Sequence, residues 1–258
     1  YLGFAPGAGT TYALLDEGRR RYERGTDVVL AALDTHGRPA TEAQSADLPV
    51  VGTSTDGHLS LDAAALLARR PDVALVDDLA ATDGDNLAPR WKAVERLRDA
   101  GIHVVTTLDV SGVESLADVV EQITGRTPSG LVPDAVVGSA EQIQLVDQTP
   151  EALRRRLAHG NIFPSEAVDA AVDASFRPEA LSELRELTMR WMADRVHHQY
   201  AIDPGRTSDA SEGILVALSG APSSPTVLRR AARIADRQGA PLVGVHVRAP
   251  GDPAEPSS

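Results

Sequence analysis

The chain has 258 residues, enough for one large domain or for one domain and part of a second. Its 25 basic and 37 acidic residues give a net charge of −12, which opposes binding to nucleic acid or to an anionic membrane surface. The absence of cysteine excludes disulfide bonds and cysteine-ligated zinc, and no apolar run reaches the ~18 residues that a membrane-spanning helix needs. We therefore expect a cytoplasmic segment without direct membrane insertion. Because it begins at Tyr1, inside an apparent strand, we expect it to be part of a longer chain.

A glycine-rich turn lies near the amino terminus, between a short apolar segment and an amphipathic run. It reads Gly3-Phe4-Ala5-Pro6-Gly7-Ala8-Gly9-Thr10-Thr11. A strand, a glycine-rich turn and a helix form the setting of a phosphate-binding loop, because glycine lets the backbone approach a ligand and the helix offers free N–H groups. The Walker pattern requires Gly or Ala at position 4 and Lys at position 10, where this chain has Phe4 and Thr10. The candidate nucleotide- or phosphate-binding residues are Gly7, Gly9, Thr10 and Thr11.

Two predicted strands end in polar side chains. The apolar run Asp27–Leu33 predicts a buried strand and leads into the polar turn Asp34–Arg38. The run Val73–Val76 is followed by Asp77 and Asp78, as in the Walker B arrangement, where a buried strand directs a carboxylate towards magnesium. Ligands of open α/β sheets collect at such carboxyl ends. The further candidates are Asp34 and Arg38 for nucleotide or phosphate, and Asp77 for Mg²⁺ through a water molecule.

Each of these sites also has a plainer interpretation. The glycine turn can be a simple strand-to-helix connection that needs positive φ angles. Asp77 can be an ordinary polar strand end, and the sequence supports both interpretations equally. Asp78 is less favoured as a base that activates water, because it is one methylene shorter than Glu.

The rest of the first 149 residues alternates helices with strands. Helices are predicted at Thr11–Arg24, Leu61–Arg70, Pro89–Ala100 and Val113–Thr124, strands at Ile102–Leu108 and Ile143–Asp147, and a hairpin or loop over residues 48–60. This alternation predicts a P-loop-like α/β domain over residues 1–149, with a mostly parallel sheet and flanking helices. We expect that sheet to bring Gly9, Thr11, Asp34 and Asp77 to one rim.

After residue 149 the pattern changes twice. Helices are predicted at Glu151–Ala158, Ser165–Ser175 and Glu179–Tyr200, forming a helical extension over residues 150–200. A linker over 201–212 follows, and residues 213–248 predict a truncated second α/β unit of the strand-helix-strand type. The Pro-, Gly- and Ser-rich tail, 249–258, is predicted to be disordered.

Taken in order, these motifs resemble the amino-terminal cytoplasmic region of KdpD-type sensor histidine kinases, followed by the start of a universal-stress-protein domain. Beyond the glycine turn, the resemblance rests on Asp34–Arg38, Leu75–Ala80, Arg90-Trp91, Glu114–Leu116, Val120–Gly125, Val132–Asp134, Leu145–Asp147, Leu153–Leu157, Leu184–Leu187, Ser219-Gly220 and Leu228–Arg233. Each motif is weak alone, but the ordered set is specific.

The resemblance implies a regulatory role in potassium uptake. In the family, the kinase acts through a response regulator, its amino-terminal region carries an ATP-binding P-loop, and the parent protein is anchored in the bacterial inner membrane. The phospho-accepting histidine and the catalytic core lie far downstream, so the partners implied here are the rest of a kinase chain, its dimer mate and a response regulator.

Departures from the family pattern concentrate where nucleotide chemistry would occur. The P-loop lysine is Thr10, the second acid of the strand end is Asp78 in place of Glu, and the segments around Asp83 and Asp109 also differ. The resemblance thus implies a degenerate nucleotide site, with ATP and Mg²⁺ as possible ligands and Arg38, Arg90 or Lys92 as substitutes for the lost charge. The alternatives are a P-loop ATPase or small-molecule kinase with a substituted lysine, and a stand-alone interaction protein.

Overall fold

The computed structural model describes residues 1–55, 58–83, 88–163, 175–201, 214–218, 224–238 and 240–246. The chain divides into two compact units, Tyr1–Arg190 and Trp191–Ser258. Both contain helices and strands, so the predicted α/β class is confirmed. Across the described ranges, none of the helices has the apolar length that a bilayer crossing requires.

The strands of the first unit are short. They are β1 (Leu2–Gly3), β2 (Val28–Asp34), β3 (Thr53–Thr55), β4 (His58–Ser60), β5 (Val73–Val76), β6 (Thr82–Asp83), β7 (Ala88–Pro89), β8 (His103–Thr106) and β9 (Leu108–Asp109). Its helices are α1 (Thr10–Glu23), α2 (Pro39–Ser45), α3 (Ala63–Arg69), α4 (Arg90–Asp99), α5 (Ala117–Thr124), α6 (Asp134–Gly138), α7 (Pro150–Ala158) and α8 (Pro178–Ala201), the last of which runs into the second unit. These bounds confirm the helices predicted over 11–24, 61–70, 89–100 and 151–158, and the hairpin within 48–60.

Three parallel strands form the centre of the main sheet. β2, β5 and β8 lie side by side in that order, and the antiparallel hairpin of β3 and β4 extends the β2 edge. At the other edge, the chain continues from β8 through Thr107 into β9, which pairs in parallel with β1. Because parallel strands point the same way, the carboxyl ends of β1, β2, β5 and β9 lie along one edge of this arrangement.

Buried aliphatic side chains hold these strands and α1 together. β2 and β5 are buried along almost their whole length, as expected of strands covered on both faces. α1 packs on them through Leu14 and Leu15, which are fully buried. Gly18 allows this close approach, since a Cβ atom there would lie 2.2 Å from Cδ1 of Leu75. The packing therefore fixes α1 against β5, the strand that directly precedes Asp77.

Two predicted elements are wrong in detail. The predicted strand Ile143–Asp147 forms only a single bridge to Leu2, because β1 is two residues long and cannot support a longer ladder. The predicted helix Val113–Thr124 begins only at Ala117, because two 3₁₀ turns precede it and their backbone is hydrogen-bonded to Val132. α2, α6 and the β6–β7 pair were not predicted.

The second unit contains a strand-helix-strand motif. β10 (Ile214–Leu218) and β11 (Leu242–His246) pair in parallel, and α9 (Ser224–Gln238) connects them. This confirms the predicted strands and helix of the motif. Most of the predicted linker 201–212, most of the predicted helix Ser165–Ser175, the turn Ser219–Pro222 and the tail 249–258 lie outside the described residues.

Candidate functional site

The structure brings the start of α1 and the end of β5 into direct contact. Oγ1 of Thr11 donates a hydrogen bond to Oδ1 of Asp77 over 3.1 Å, and Oγ1 of Thr107 donates to the same oxygen over 2.7 Å. Asp77 is only 5% exposed. The two residues that the sequence assigned to the Walker A and Walker B positions therefore share one rim, as a parallel sheet requires.

The glycine turn has the backbone conformation that its glycines permit. Gly7 and Gly9 have φ angles of 84° and 106°, which side-chain-bearing residues rarely adopt. Gly9 is the N-cap of α1 and has no side chain with which to cap the first N–H groups of the helix. Phe4 is 1% exposed and belongs to the core of the unit. The first N–H groups of α1 are therefore left without a side-chain cap, and Phe4 anchors the turn in the core.

Asp109 adds another carboxyl group close to the turn. Its Oδ1 lies 2.6 Å from the point where Gly3 would carry a Cβ atom. Burial, followed by the negative charges of Asp78 and Asp77, raises the pKa of Asp109 to about 7, and the charge of Arg38 opposes this rise. Burial also raises the pKa of Asp77, against the hydrogen bonds from Thr107 and Thr11. Crowded acids of this kind favour a nearby cation or a bound proton.

No group of three or more metal-binding side chains has the geometry of a metal site among the described residues. A magnesium ion at this rim would therefore need water and ligand oxygens to complete its shell, which is its usual habit in nucleotide sites. The role of Asp77 as a magnesium ligand through water stays a prediction.

Replacing Asp109 with asparagine tests the raised pKa. With a folded-state pKa near 7 against an ordinary value near 3.8, the folded protein keeps a proton that the unfolded chain loses. The free energy of unfolding should therefore fall as pH rises from about 4 to 7, by up to about 1.4 kcal/mol per pH unit from this group. Urea unfolding across this range should show a gentler decline in Asp109→Asn, while Asp99→Asn, at an exposed position, should follow the native protein. Parallel curves for Asp109→Asn and the native protein would contradict the assignment.

Asp34 is the last residue of β2, at the neighbouring strand end, and Arg38 follows it by four residues. The carboxylate of Asp34 accepts a hydrogen bond from the backbone N–H of His36 over 2.8 Å and faces the His36 and His58 rings. Its contacts are thus local to the turn. Arg38 reaches further, because Nη2 donates to the carbonyl oxygen of Ile162 over 2.8 Å. The positive charge of Arg38 interacts electrostatically with the carboxyl groups of both Asp77 and Asp109.

Of the three cations proposed as lysine substitutes, Arg90 has another role. It is 3% exposed, and its Nε and Nη2 atoms each donate to Asp83 over 2.7 Å. Its Nη1 atom donates to the backbone carbonyl oxygens of Asp77 and Asp78. Arg90 therefore holds the end of β5 in place and has no face left for a ligand. Lys92 is exposed and lies over the Trp91 ring, 5.5 Å from its centre.

Asp78 is engaged by its own loop. Its φ angle is 49°, its N–H group donates to Oγ1 of Thr107 over 2.7 Å, and its Oδ1 atom accepts from the N–H group of Ala80 over 3.2 Å. This side chain is thus held in a local turn.

Sequence analysis missed three residues of the site. Thr107 lies at the end of the strand predicted over Ile102–Leu108 and Asp109 directly follows it, so the rule applied to Asp34 and Asp77 could have found them. Arg156 lies near Gly9 but sits within a run of three arginines on a predicted helix, and nothing in that run shows which arginine faces the turn.

The fold and the rim together define an α/β domain with hydroxyl, carboxyl and guanidinium groups gathered at one edge of its sheet. The family model for the osmosensitive K⁺ channel His kinase sensor domain, KdpD, matches residues 1–196. The chain belongs to this family.

Longer relatives agree with that assignment. The chain is 46% identical over 259 residues to the sensor protein KdpD of Mycobacterium tuberculosis (strain CDC 1551 / Oshkosh), covering 96% of this chain and 30% of that protein. It is 38% identical over 245 residues to a putative sensor protein KdpD of Synechocystis sp., covering 92% of this chain and 66% of the relative. With the sensor protein KdpD of Escherichia coli (strain K12), identity is 36% over 262 residues, covering 97% and 29%. The chain thus spans about 30% of the Mycobacterium tuberculosis relative.

Proposed function

We propose that this chain is the cytoplasmic regulatory module of a KdpD-type sensor histidine kinase that controls potassium uptake. Its partners are then the rest of the kinase chain, a second kinase subunit and a response regulator, and the parent protein is anchored in the inner membrane. Membership of the sensor-domain family supports this proposal. The phosphoryl-transfer chemistry is assigned to other parts of the kinase.

The observation that carries the proposal is the hydrogen bond between Thr11 and Asp77. In phosphate-binding loops, the equivalent hydroxyl group binds Mg²⁺ directly, and the strand-end aspartate holds the ion. An entering magnesium ion would compete for both side chains and replace their hydrogen bond. Because Thr11 lies on α1 and Asp77 follows β5, occupancy of the rim would alter the contact between a helix and the central sheet. Such a site can report on a bound ligand.

The same rim favours binding without hydrolysis. Thr10 cannot supply the charge-assisted hydrogen bond that a P-loop lysine makes to phosphate, which is worth about 1.5–3 kcal/mol. One carboxylate oxygen of Asp78 accepts from the N–H group of Ala80, and the side chain is one methylene shorter than Glu, so Asp78 is poorly placed to activate water. We therefore propose a degenerate P-loop that binds a magnesium nucleotide and leaves it intact.

Calorimetric titration with Mg-ATP, run beside an assay of phosphate release, tests this function. We expect saturable binding, weakened at least tenfold by Asp77→Asn and unchanged by Asp99→Asn, with no phosphate release above the blank. Phosphate release that disappears in Thr11→Ala would instead support a P-loop ATPase or small-molecule kinase. Absence of nucleotide binding would contradict the proposed nucleotide site.

The second unit supports a separate, smaller proposal. We propose that β10, α9 and β11 begin a domain of the universal-stress-protein type, because their parallel strand-helix-strand order matches the start of that fold. Leu215 on β10 and Val243 on β11 are 67% and 50% exposed, as expected of a sheet to which further elements add.

A further inference from the structure

Arg156 is a half-buried cation beside the glycine turn. Its Nη1 atom lies 4.0 Å from the point where Gly9 would carry a Cβ atom. Within the described residues, its side chain makes no hydrogen bond or ion pair, although a guanidinium group has five N–H donors. The other arginines of its run, Arg154 and Arg155, are exposed. Arg156 is thus the arginine of this helix that faces the turn.

Arg38, which is far from Arg156 in the sequence, also lies near this turn. Its Nη2 atom donates to the carbonyl oxygen of Ile162, and the Ile162 side chain lies where a Cβ atom on Gly7 would be, at 2.5 Å. The Nε atom of Arg38 is buried without a hydrogen-bond partner. Arg38 and Arg156 thus lie near the two glycines of one turn, Arg38 through Ile162 beside Gly7 and Arg156 directly beside Gly9.

The positive charges of Arg38 and Arg156 repel each other. Burial, and next the positive charge of Arg156, lowers the pKa of Arg38. The carboxylates of Asp77, Asp34 and Asp109 act in the opposite direction but bond to neither guanidinium among the described residues. The guanidinium groups of Arg38 and Arg156 thus have unused N–H donors near a turn that also offers backbone N–H groups. Such surroundings stabilise an oxyanion.

We propose that Arg38 and Arg156 together bind a phosphate group at the glycine turn, in place of the P-loop lysine. This inference rests on the proposed function of the turn as a nucleotide site, and it names the part of the ligand that is recognised. Planar guanidinium groups match phosphate oxygens in pairs, so two arginines can replace one lysine and add directional hydrogen bonds. The ligand class is a diphosphate or triphosphate, either of a nucleoside or inorganic.

The test compares two arginines of one helix. Arg156→Gln and Arg154→Gln remove the same charge from positions two residues apart on α7, which lie on roughly opposite sides of the helix. Glutamine keeps a good helix former at each position. The chain is titrated with pyrophosphate, ADP and adenosine in the presence of Mg²⁺. We expect Arg156→Gln to weaken pyrophosphate and ADP binding at least tenfold, Arg154→Gln to change it less than twofold, and Arg156→Lys to restore part of the loss. Binding of pyrophosphate alone identifies an inorganic source, and tighter binding of ADP identifies a nucleotide.

The outcomes separate this inference from the proposed function. Equal affinities in Arg156→Gln and the native protein, with binding intact, would overturn the arginine pair and leave the nucleotide site standing. Phosphate release by the native protein would contradict the proposal that the module leaves the nucleotide intact. It would not affect the arginine pair, which is tested by the affinity of Arg156→Gln. Adenosine binding as tight as ADP binding would overturn phosphate recognition. Circular dichroism melting of each variant confirms that a lost affinity is not lost folding, and Arg38→Gln should show a comparable loss on its own.

Discussion

Replacing Arg90 with methionine should lower the free energy of unfolding by about 3–5 kcal/mol, the usual cost of leaving one partner of a buried ion pair alone. Arg90 is 3% exposed, and the side chain of Asp83 is 12% exposed. Methionine fills part of the volume but removes both guanidinium donors from the Asp83 carboxylate, which keeps only the N–H group of Leu61, and leaves the carbonyl oxygen of Asp77 without the donor that Arg90 supplies. The substitution should therefore lower the stability of the first unit and also displace the end of β5.

The matched control is Arg69→Met. Arg69 also makes two hydrogen bonds to a single carboxylate, that of Asp27, but these side chains are 37% and 44% exposed. Exposed pairs contribute only about 0–1 kcal/mol, because water solvates either partner when the other is removed. Urea unfolding of both variants measures the difference. Equal losses from Arg90→Met and Arg69→Met would mean that Arg90 does not anchor the strand end.

Replacing Gly7 with alanine should cost about 2–5 kcal/mol, from two separate causes. A φ angle of 84° costs an alanine about 1–2 kcal/mol by itself. The new Cβ atom would also lie 2.5 Å from Cδ1 of Ile162, which is 1% exposed and has little room to move. Overpacking of this kind adds about 1–3 kcal/mol. The change should widen the turn and weaken ligand binding as well.

Gly25→Ala separates these two causes. Gly25 has nearly the same φ angle, 87°, but nothing lies within 4 Å of its Cβ position. It should therefore show the backbone cost alone. Thermal or urea unfolding should rank Gly7→Ala as the more destabilised variant by at least 1 kcal/mol. Equal destabilisation would show that the turn is not packed on Ile162.

The sequence predicts the parts of this fold that depend on local pattern. β2 and β5 follow from continuous apolar runs, and α1 follows from the glycine turn and the amphipathic run after it. The meeting of Thr11 with Asp77 follows from strand direction, because parallel strands deliver their carboxyl ends to one edge. These inferences need no knowledge of distant contacts.

Other features depend on contacts between distant residues, which a single sequence does not contain. The segment at Leu145 has the composition of a strand, yet its partner β1 is too short to build one. Nothing in the sequence distinguishes the roles of Arg90, Arg38 and Arg156. Only tertiary packing shows that Arg90 anchors the end of β5, that Arg38 bonds to Ile162 and that Arg156 lies beside Gly9. Asp109 gains its raised pKa from burial and from acids that lie more than thirty residues away in the chain.

The most direct test of the regulatory role uses a KdpD-type sensor kinase in which this chain replaces the matching residues. Autophosphorylation is measured at low and high potassium, with the native chain and with Asp77→Asn. The native chain should give a clear difference between the two conditions, and Asp77→Asn should reduce that difference several-fold while Asp99→Asn leaves it unchanged. An identical potassium response in the native and Asp77→Asn kinases would contradict control through this rim.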